Sequence, residues 1–109
     1  MIKPATIDDI KMAMDIVEVV SDFVNLKKSG SSFKGLSPFT SEKTPSFYVV
    51  PSKGIFKCFS SGKGGDAITF VMEFDGLSYI EALKYLAAKY NITIEEEIQT
   101  DEIQAAQNQ

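Results

Sequence analysis

Two short turns near the middle of the chain limit what it can fold into. Residues 37–40 read SPFT and residues 58–61 read CFSS, which is the layout of two knuckles that hold a structural zinc ion between four thiolate or imidazole ligands. The four corner positions are Ser37, Thr40, Cys58 and Ser61. Hydroxyl groups do not ionise in the physiological range, so they cannot replace thiolates as soft anionic ligands. The sequence therefore predicts a two-knuckle scaffold that has lost its metal site.

Size and composition favour one small domain. The chain has 109 residues, 44% of them hydrophobic, which is enough for a modest core. No apolar run reaches the length of a membrane span and no secretion signal begins the chain, so we expect a cytoplasmic protein without a membrane partner. Cys58 is the single cysteine and the chain has no histidine to act as its base, so we expect a small buried side chain there.

Charge is distributed unevenly along the chain. Residues 1–24 carry a net charge of −3, residues 25–65 carry +6, and residues 66–109 carry −7, which gives −4 in total. The basic middle block predicts a nucleic-acid partner despite the acidic total. All eleven basic residues are lysines, which attract phosphate but lack the guanidinium fork that reads guanine. We therefore expect binding with weak sequence specificity.

Helical periodicity at both ends of the chain predicts four short helices. The first follows an apparent capping box that begins at Thr6, and the second follows a similar cap at Asp15. Asp66 is placed to cap a third helix and Ser78 a fourth, which would end at a left-handed Asn91. Helices from both ends of the chain would thus flank the middle block.

Alternating apolar residues between these helices predict short antiparallel strands joined by glycine and proline turns. The predicted strands cover residues 24–27, 33–34, 46–50, 55–59 and, after the last helix, 92–94. The expected fold class is α+β, with a small antiparallel sheet similar to a zinc ribbon packed against helices from both ends of the chain.

Residues 35–47 and 58–66 closely resemble the two knuckles of the N-terminal zinc-binding domain of bacterial DnaG-type DNA primases. Residues 42–47, which read EKTPSF, match the hallmark run of that family directly. The resemblance continues into the helices on both sides and covers about residues 6–94. It therefore extends over most of the chain.

The same resemblance identifies the zinc-ligand positions at which this chain differs from the family. Two corners that are Cys and His in the family are hydroxyl residues here, a third hydroxyl stands at the fourth ligand position, and Cys58 is kept. We expect hydrogen bonds of ~1 kcal/mol each to tie the two turns, while the core supplies the stability, on the order of 10 kcal/mol, that metal gives to structural zinc peptides. The aromatic residues expected in that core are Phe33, Phe39, Phe47, Phe56, Phe59, Phe70 and Phe74.

The resemblance implies one domain of a larger enzyme, without a catalytic centre of its own. Residues 1–94 would form a metal-free template-binding domain, and residues 95–109 an acidic, Gln-rich linker toward a catalytic domain. That domain would use Mg²⁺ and ribonucleotides to make RNA primers, so the whole protein would be a DNA-directed RNA polymerase. The implied partners are single-stranded DNA template, the primase catalytic domain and the replicative helicase.

The candidate DNA-binding residues surround the two former knuckles. They are Lys27, Lys28, Lys34, Lys43, Thr44, Ser46, Lys57 and Lys63. The lysines would follow phosphates, with Phe33, Tyr48 or Phe56 as platforms on which bases stack. Alternatively, lysines on strand faces only keep sheet edges soluble, and the two hydroxyl residues only organise their loop.

A second function class stays open beside DNA binding. A domain that lost DNA contact together with its metal would serve as a protein-interaction module that docks on the polymerase domain or the helicase. Template binding predicts lysines on one face and strong salt dependence, whereas docking predicts an exposed apolar patch and weak salt dependence.

Overall fold

The computed structural model describes residues 2–41 and 43–95, which form four helices and five strands. The helices are α1 (Pro4–Ala13), α2 (Ile16–Ser21), α3 (Ala67–Asp75) and α4 (Tyr79–Lys89), and the strands are β1 (Lys27–Ser29), β2 (Ser32–Gly35), β3 (Phe47–Val50), β4 (Ile55–Cys58) and β5 (Gly64–Gly65). None of these four helices has the length and hydropathy that a membrane crossing requires. The predicted linker lies outside the described residues apart from Glu95.

The five strands form one antiparallel sheet in which each strand pairs with the next along the chain. Two tight hairpins make this possible, because Gly30 and Gly54 adopt positive φ angles of 64° and 65° that other residues rarely reach. The longer connection between β2 and β3 carries the first knuckle, and the turn after β4 carries the second. The α+β prediction with a small antiparallel sheet is confirmed.

The helices cover one face of the sheet, which we call the inner face. Phe33, Val49 and Phe56 lie opposite one another on β2, β3 and β4, and they form the inner row that faces the core. Helix α3 packs on β4 and β5, while α2 and α4 pack on α3. The residues between those in the inner row therefore form an outer face without a helix over it.

Phenylalanines fill the space between the sheet and α3. The rings of Phe47 and Phe56 stack at 5.4 Å, and the ring of Phe70 on α3 meets both edge-on at 5.8 and 5.4 Å. Phe39 from the first knuckle lies 6.0 to 6.2 Å from all three rings. The first knuckle is thus fixed to the core by aromatic packing.

Side-chain caps define the start of three helices as predicted. Asp15 accepts hydrogen bonds from the amides of Val17 and Glu18, and Asp66 accepts one from that of Thr69. Ser78 and Glu81 form the reciprocal capping box of α4. Asn91 adopts the predicted left-handed conformation, with φ of 58°.

The start of α1 differs from the prediction. The helix begins at Pro4, Lys3 is the N-cap residue without a side-chain cap bond, and Thr6 is buried inside the helix. Proline suits the first helical position because its fixed φ matches the helix and its missing N–H needs no partner there. The apparent capping box at Thr6 was therefore wrong.

Two predicted strands also differ. Residues 24–26 precede β1, and the amide of Val24 donates to the carbonyl of Val20, so the end of α2 still determines the backbone there. Residues 92–94 have no regular secondary structure. The short strand β5 was missed, because two glycines carry no β-propensity.

Candidate nucleic-acid interface

The first knuckle and the second meet through buried polar side chains. The thiol of Cys58 is fully buried and donates to Ser37 Oγ at 3.0 Å, and the amide of Phe39 donates to the same oxygen at 3.0 Å. One hydroxyl therefore joins the two turns and also shapes its own turn. Ser61 Oγ accepts from the amide of Lys63 at 3.3 Å, which closes the second turn.

Ser60 is the centre of a larger hydroxyl cluster between the turns. Its Oγ lies 2.9 Å from Thr40 Oγ1, accepts from Ser46 Oγ at 2.8 Å and lies 3.3 Å from Cys58 Sγ. A hydroxyl offers one donor and two acceptor positions, so one serine can serve three neighbours. Sequence reasoning missed Ser60 because the knuckle spacing places it between two corners and not at one. The sequence offered one indication of it, a further hydroxyl residue directly before the corner residue Ser61.

The cluster changes the acidity of the thiol. Burial raises the pKa of Cys58, whereas hydrogen bonds with the side chains of Ser37, Ser60 and Ser61, and with the backbone of Ser61, lower it. The result is a pKa lowered to about 7. Hydroxyls rotate, so the groups that accept from the thiol can donate to the thiolate.

The donor set does not fit a structural zinc ion. Zinc bonds of about 2.3 Å to sulfur and about 2.0 Å to lighter donors separate tetrahedral ligand atoms by roughly 3.5 Å. Cys58 Sγ and Ser37 Oγ are only 3.0 Å apart and share a hydrogen bond. Within residues 2–41 and 43–95, no group of three or more His, Cys, Asp or Glu side chains could hold a metal ion.

The outer face of the sheet brings three of the predicted lysines into one row. Cross-strand pairing places Lys27 opposite Lys34, Lys34 opposite Tyr48, and Tyr48 opposite Lys57. We call these four residues the outer row. Its three lysines are exposed, and Tyr48 is half-buried between Lys34 and Lys57. The register therefore produces a basic stripe interrupted by one aromatic ring.

An exposed aromatic residue extends this stripe beyond the end of β4. Phe59 is 65% exposed, its ring meets Tyr48 edge-on at 5.6 Å, and Lys57 Nζ lies 5.8 Å from its centroid. Its assignment to the core was wrong, and so was the choice of Phe56, which is 1% exposed, as a stacking platform. Phe33 packs against the core as well. The rings beside the outer-row lysines are thus those of half-buried Tyr48 and exposed Phe59.

The remaining candidate residues are placed differently. Lys63 pairs with Glu73 at 2.5 Å and lies over the ring of Phe39, so its charge already has a partner. Lys28 pairs with Phe33 across the strands and therefore belongs to the opposite face at the sheet edge. Ser46 binds Ser60 inside the cluster. Thr44 is exposed in the loop before β3.

Lys43 lines a cleft that is also lined by two lysines of the outer row. The cleft has a volume of about 590 Å³ and lies between the segments 23–27, 34–38 and 43–45. Lys27 and Lys34 belong to both the outer row and the lining of this cleft. The stripe and the cleft form one continuous surface, and they bring four of the predicted DNA-binding lysines together.

Comparisons with known proteins agree with this architecture. The family model described as CHC2 zinc finger matches residues 2–102. The chain is 48% identical over 89 residues to a DNA primase of Geobacillus stearothermophilus, covering 82% of this chain and 15% of that protein. A DNA primase of Clostridium acetobutylicum is 51% identical over 90 residues, with 83% and 15% covered.

A solved structure shows the same fold. The crystal structure of the Aquifex aeolicus primase, with its zinc-binding and RNA polymerase domains, superposes with a TM-score of 0.79 at 48% identity. The match covers 89% of this chain and 24% of that one. The chain thus spans only a small part of the relatives that it matches. Across that part, sequence and fold agree, and the chain belongs to the CHC2 zinc-finger family of DNA primase domains.

Proposed function

We propose that this domain binds single-stranded DNA template for a primase through the outer face of its sheet. The outer row is the main support for this proposal, because it aligns Lys27, Lys34 and Lys57 with Tyr48 on one surface that no helix covers. Three strand spacings span about 14 Å, the rise of roughly four nucleotides in one strand of a duplex. Lysines beside exposed rings are the usual composition of surfaces that hold single strands without reading their sequence.

The wider protein would be a DNA-directed RNA polymerase that makes primers during DNA replication in the cytoplasm. Its relatives are primases, and this segment offers no group of its described residues that could hold catalytic Mg²⁺. The catalytic Mg²⁺ and the joining of ribonucleotides would belong to a separate catalytic domain. Residues 1–94 would serve as the template-binding domain and residues 95–109 as the linker to the catalytic one.

The domain would perform this role without zinc. The hydroxyl cluster takes the place of the ion between the knuckles, and the packing of Phe39 against three core rings holds the first turn. Neither feature depends on a metal. In this respect the domain would differ from the zinc-binding members of its family.

A second candidate is docking on the polymerase domain or the replicative helicase. Tyr79 and Ile80 are neighbours at the start of α4, the helix that packs on α3, and remain 42% and 39% exposed. Single exposed apolar residues are common on protein surfaces, so this pair supports docking less strongly than the outer row supports DNA binding. The two roles use different surfaces and are compatible.

Fluorescence anisotropy of a labelled single-stranded oligonucleotide, titrated at several salt concentrations, tests the proposal. With three lysines on phosphates, log affinity should fall against log salt with a slope of about −2. Lys34→Glu and Lys57→Glu should each weaken binding about tenfold and flatten this slope. Lys11→Glu, which makes the same charge change at an exposed position of α1, serves as the control. Equal losses in all three variants, or no binding at low salt, would contradict template binding by the outer row.

A further inference from the structure

The cleft beside β1 and β2 has the dimensions of a ligand site. Its volume of about 590 Å³ falls within the range of roughly 300–1,000 Å³ that small-molecule sites occupy. It opens next to the outer row, with which it shares Lys27 and Lys34. A strand that follows the row would therefore pass the mouth of the cleft.

Part of the lining of the cleft is apolar. Phe23, Leu36 and Pro45 contribute to it, and Leu36 remains 48% exposed although it is a large aliphatic residue. A half-exposed leucine in a concave site offers an apolar contact surface that the fold itself leaves uncovered. Such a surface suits the flat face of a base.

The rim of the cleft is basic and carries one amide. Lys27, Lys34 and Lys43 line it, and its lining residues in the described part of the chain include no carboxylate. This arrangement favours an anionic group at the mouth. Asn25 also lines the cleft and is exposed, and its amide can both donate to and accept from the polar edge of a base.

The floor of the cleft is closely packed. Gly35 is buried, and a Cβ atom at this position would lie 2.8 Å from the carbonyl oxygen of Asn25 and 3.2 Å from a methyl group of Val24. Only a glycine lets β2 approach the segment before β1 this closely. The backbone beneath the cleft is therefore held in place by close packing.

From these observations we propose that the cleft holds a single nucleotide, with its base against Leu36, its edge on Asn25 and its phosphate on the lysine rim. The nucleotide could belong to the strand on the outer row or be a free ribonucleoside triphosphate. In the first form the inference rests on the proposed function, and in the second it does not. In both forms the ligand chemistry is the same: an apolar ring joined to a phosphate.

Short oligonucleotides with one abasic position test the first form. A set of single-stranded hexamers, each lacking the base at a different position, is titrated against the wild-type chain, Leu36→Ser and Asn25→Ala. We expect one abasic position to weaken wild-type binding about tenfold more than the others. This difference should vanish in both variants and persist in Met12→Ser, which changes an apolar residue that is 85% exposed on α1. Thermal melts establish whether each variant is folded. If Leu36→Ser does not fold, Asn25→Ala by itself tests the inference.

A parallel titration with a ribonucleoside triphosphate tests the second form. Binding to the wild-type chain and to Met12→Ser, but not to Leu36→Ser or Asn25→Ala, would support a free nucleotide as the ligand. If strands bind with no favoured abasic position and the triphosphate does not bind, the cleft inference is overturned while the proposed function stands. Loss of binding for both strands and triphosphate would overturn both.

Discussion

Ser60 connects the two knuckles although it occupies none of the four corner positions. It contacts Thr40 and Ser46 from the first loop, and Cys58 from its own turn. The spacing of the four corner positions was visible in the sequence. The role of Ser60 was not, because hydrogen bonding depends on where each hydroxyl points in three dimensions. A residue that links two turns by hydrogen bonds can be identified only from the folded structure, in which the turns lie side by side.

Replacing Ser60 with alanine should destabilise the domain. The change removes hydrogen bonds to Thr40, Ser46 and the Cys58 thiol at a site open to water, so we expect the free energy of unfolding to fall by about 0.5–1.5 kcal/mol. Denaturant unfolding measures this difference. Ser52→Ala, in the exposed turn between β3 and β4, provides a control that should change stability by less than about 0.5 kcal/mol. An unchanged Ser60→Ala domain would mean that the cluster adds nothing to stability.

Ionisation of Cys58 should make stability depend on pH. The folded pKa of about 7 lies below the unfolded value, so the contribution of the thiolate is fully present above the unfolded pKa and is lost as the pH falls through the folded one. The free energy of unfolding, measured relative to Cys58→Ser, should therefore rise between about pH 6 and about pH 9. Ultraviolet absorbance of the thiolate should follow the same titration. Parallel curves for the two proteins would show that the thiol does not ionise in this range.

The sheet explains which aromatic residues could be assigned from the sequence. Alternation along β3 and β4 determines which side chains face the core, and the sequence pattern indicated both strands. It did not fix the side of each ring, because a shift of one residue moves a side chain to the other face. Phe56 and Cys58 lie on the buried side of β4, whereas Phe59 continues the alternation on the exposed side with Lys57, which is why its assignment to the core was wrong.

Phe59 should therefore affect DNA binding and not folding. Removing its ring in Phe59→Ala is expected to weaken single-strand binding by about tenfold, since stacking of one base contributes about 1–3 kcal/mol. Anisotropy measures the binding and thermal unfolding measures stability, which should change little for a residue that is 65% exposed. Tyr79→Ala, another exposed aromatic change, should leave binding intact. Equal effects of the two variants would argue against a stacking role for Phe59.

Charge and packing divide the molecule into two sides. The basic segment, residues 25–65, forms the sheet and its loops, while the acidic N- and C-terminal segments supply the helices on the inner face. The segregation along the sequence predicted this polarity, because the topology keeps the middle segment together. It did not predict the cleft, which needs the approach of Gly35 to Asn25. The core between the two sides is mainly apolar and aromatic, and Thr6 and Ser37 are polar residues buried in it.

Stability that comes from this core should not respond to chelators. We expect the purified domain to contain no stoichiometric zinc and to keep its Tm in excess chelator. Restoring the family ligands with Ser37→Cys, Thr40→His and Ser61→Cys beside Cys58 should create a zinc site whose removal lowers Tm, as expected for four thiolate and imidazole donors. Elemental analysis and thermal unfolding measure both proteins. A wild-type Tm that drops on chelation would overturn the metal-free interpretation.

The order of the strands also has a consequence for synthesis on the ribosome. Each strand of the sheet pairs with its neighbour in the chain, so no pairing has to wait for a distant segment to be translated. Contacts between near neighbours close small loops and form quickly. The basic face can therefore assemble while translation continues, and α3 and α4 then complete the core as they leave the exit tunnel.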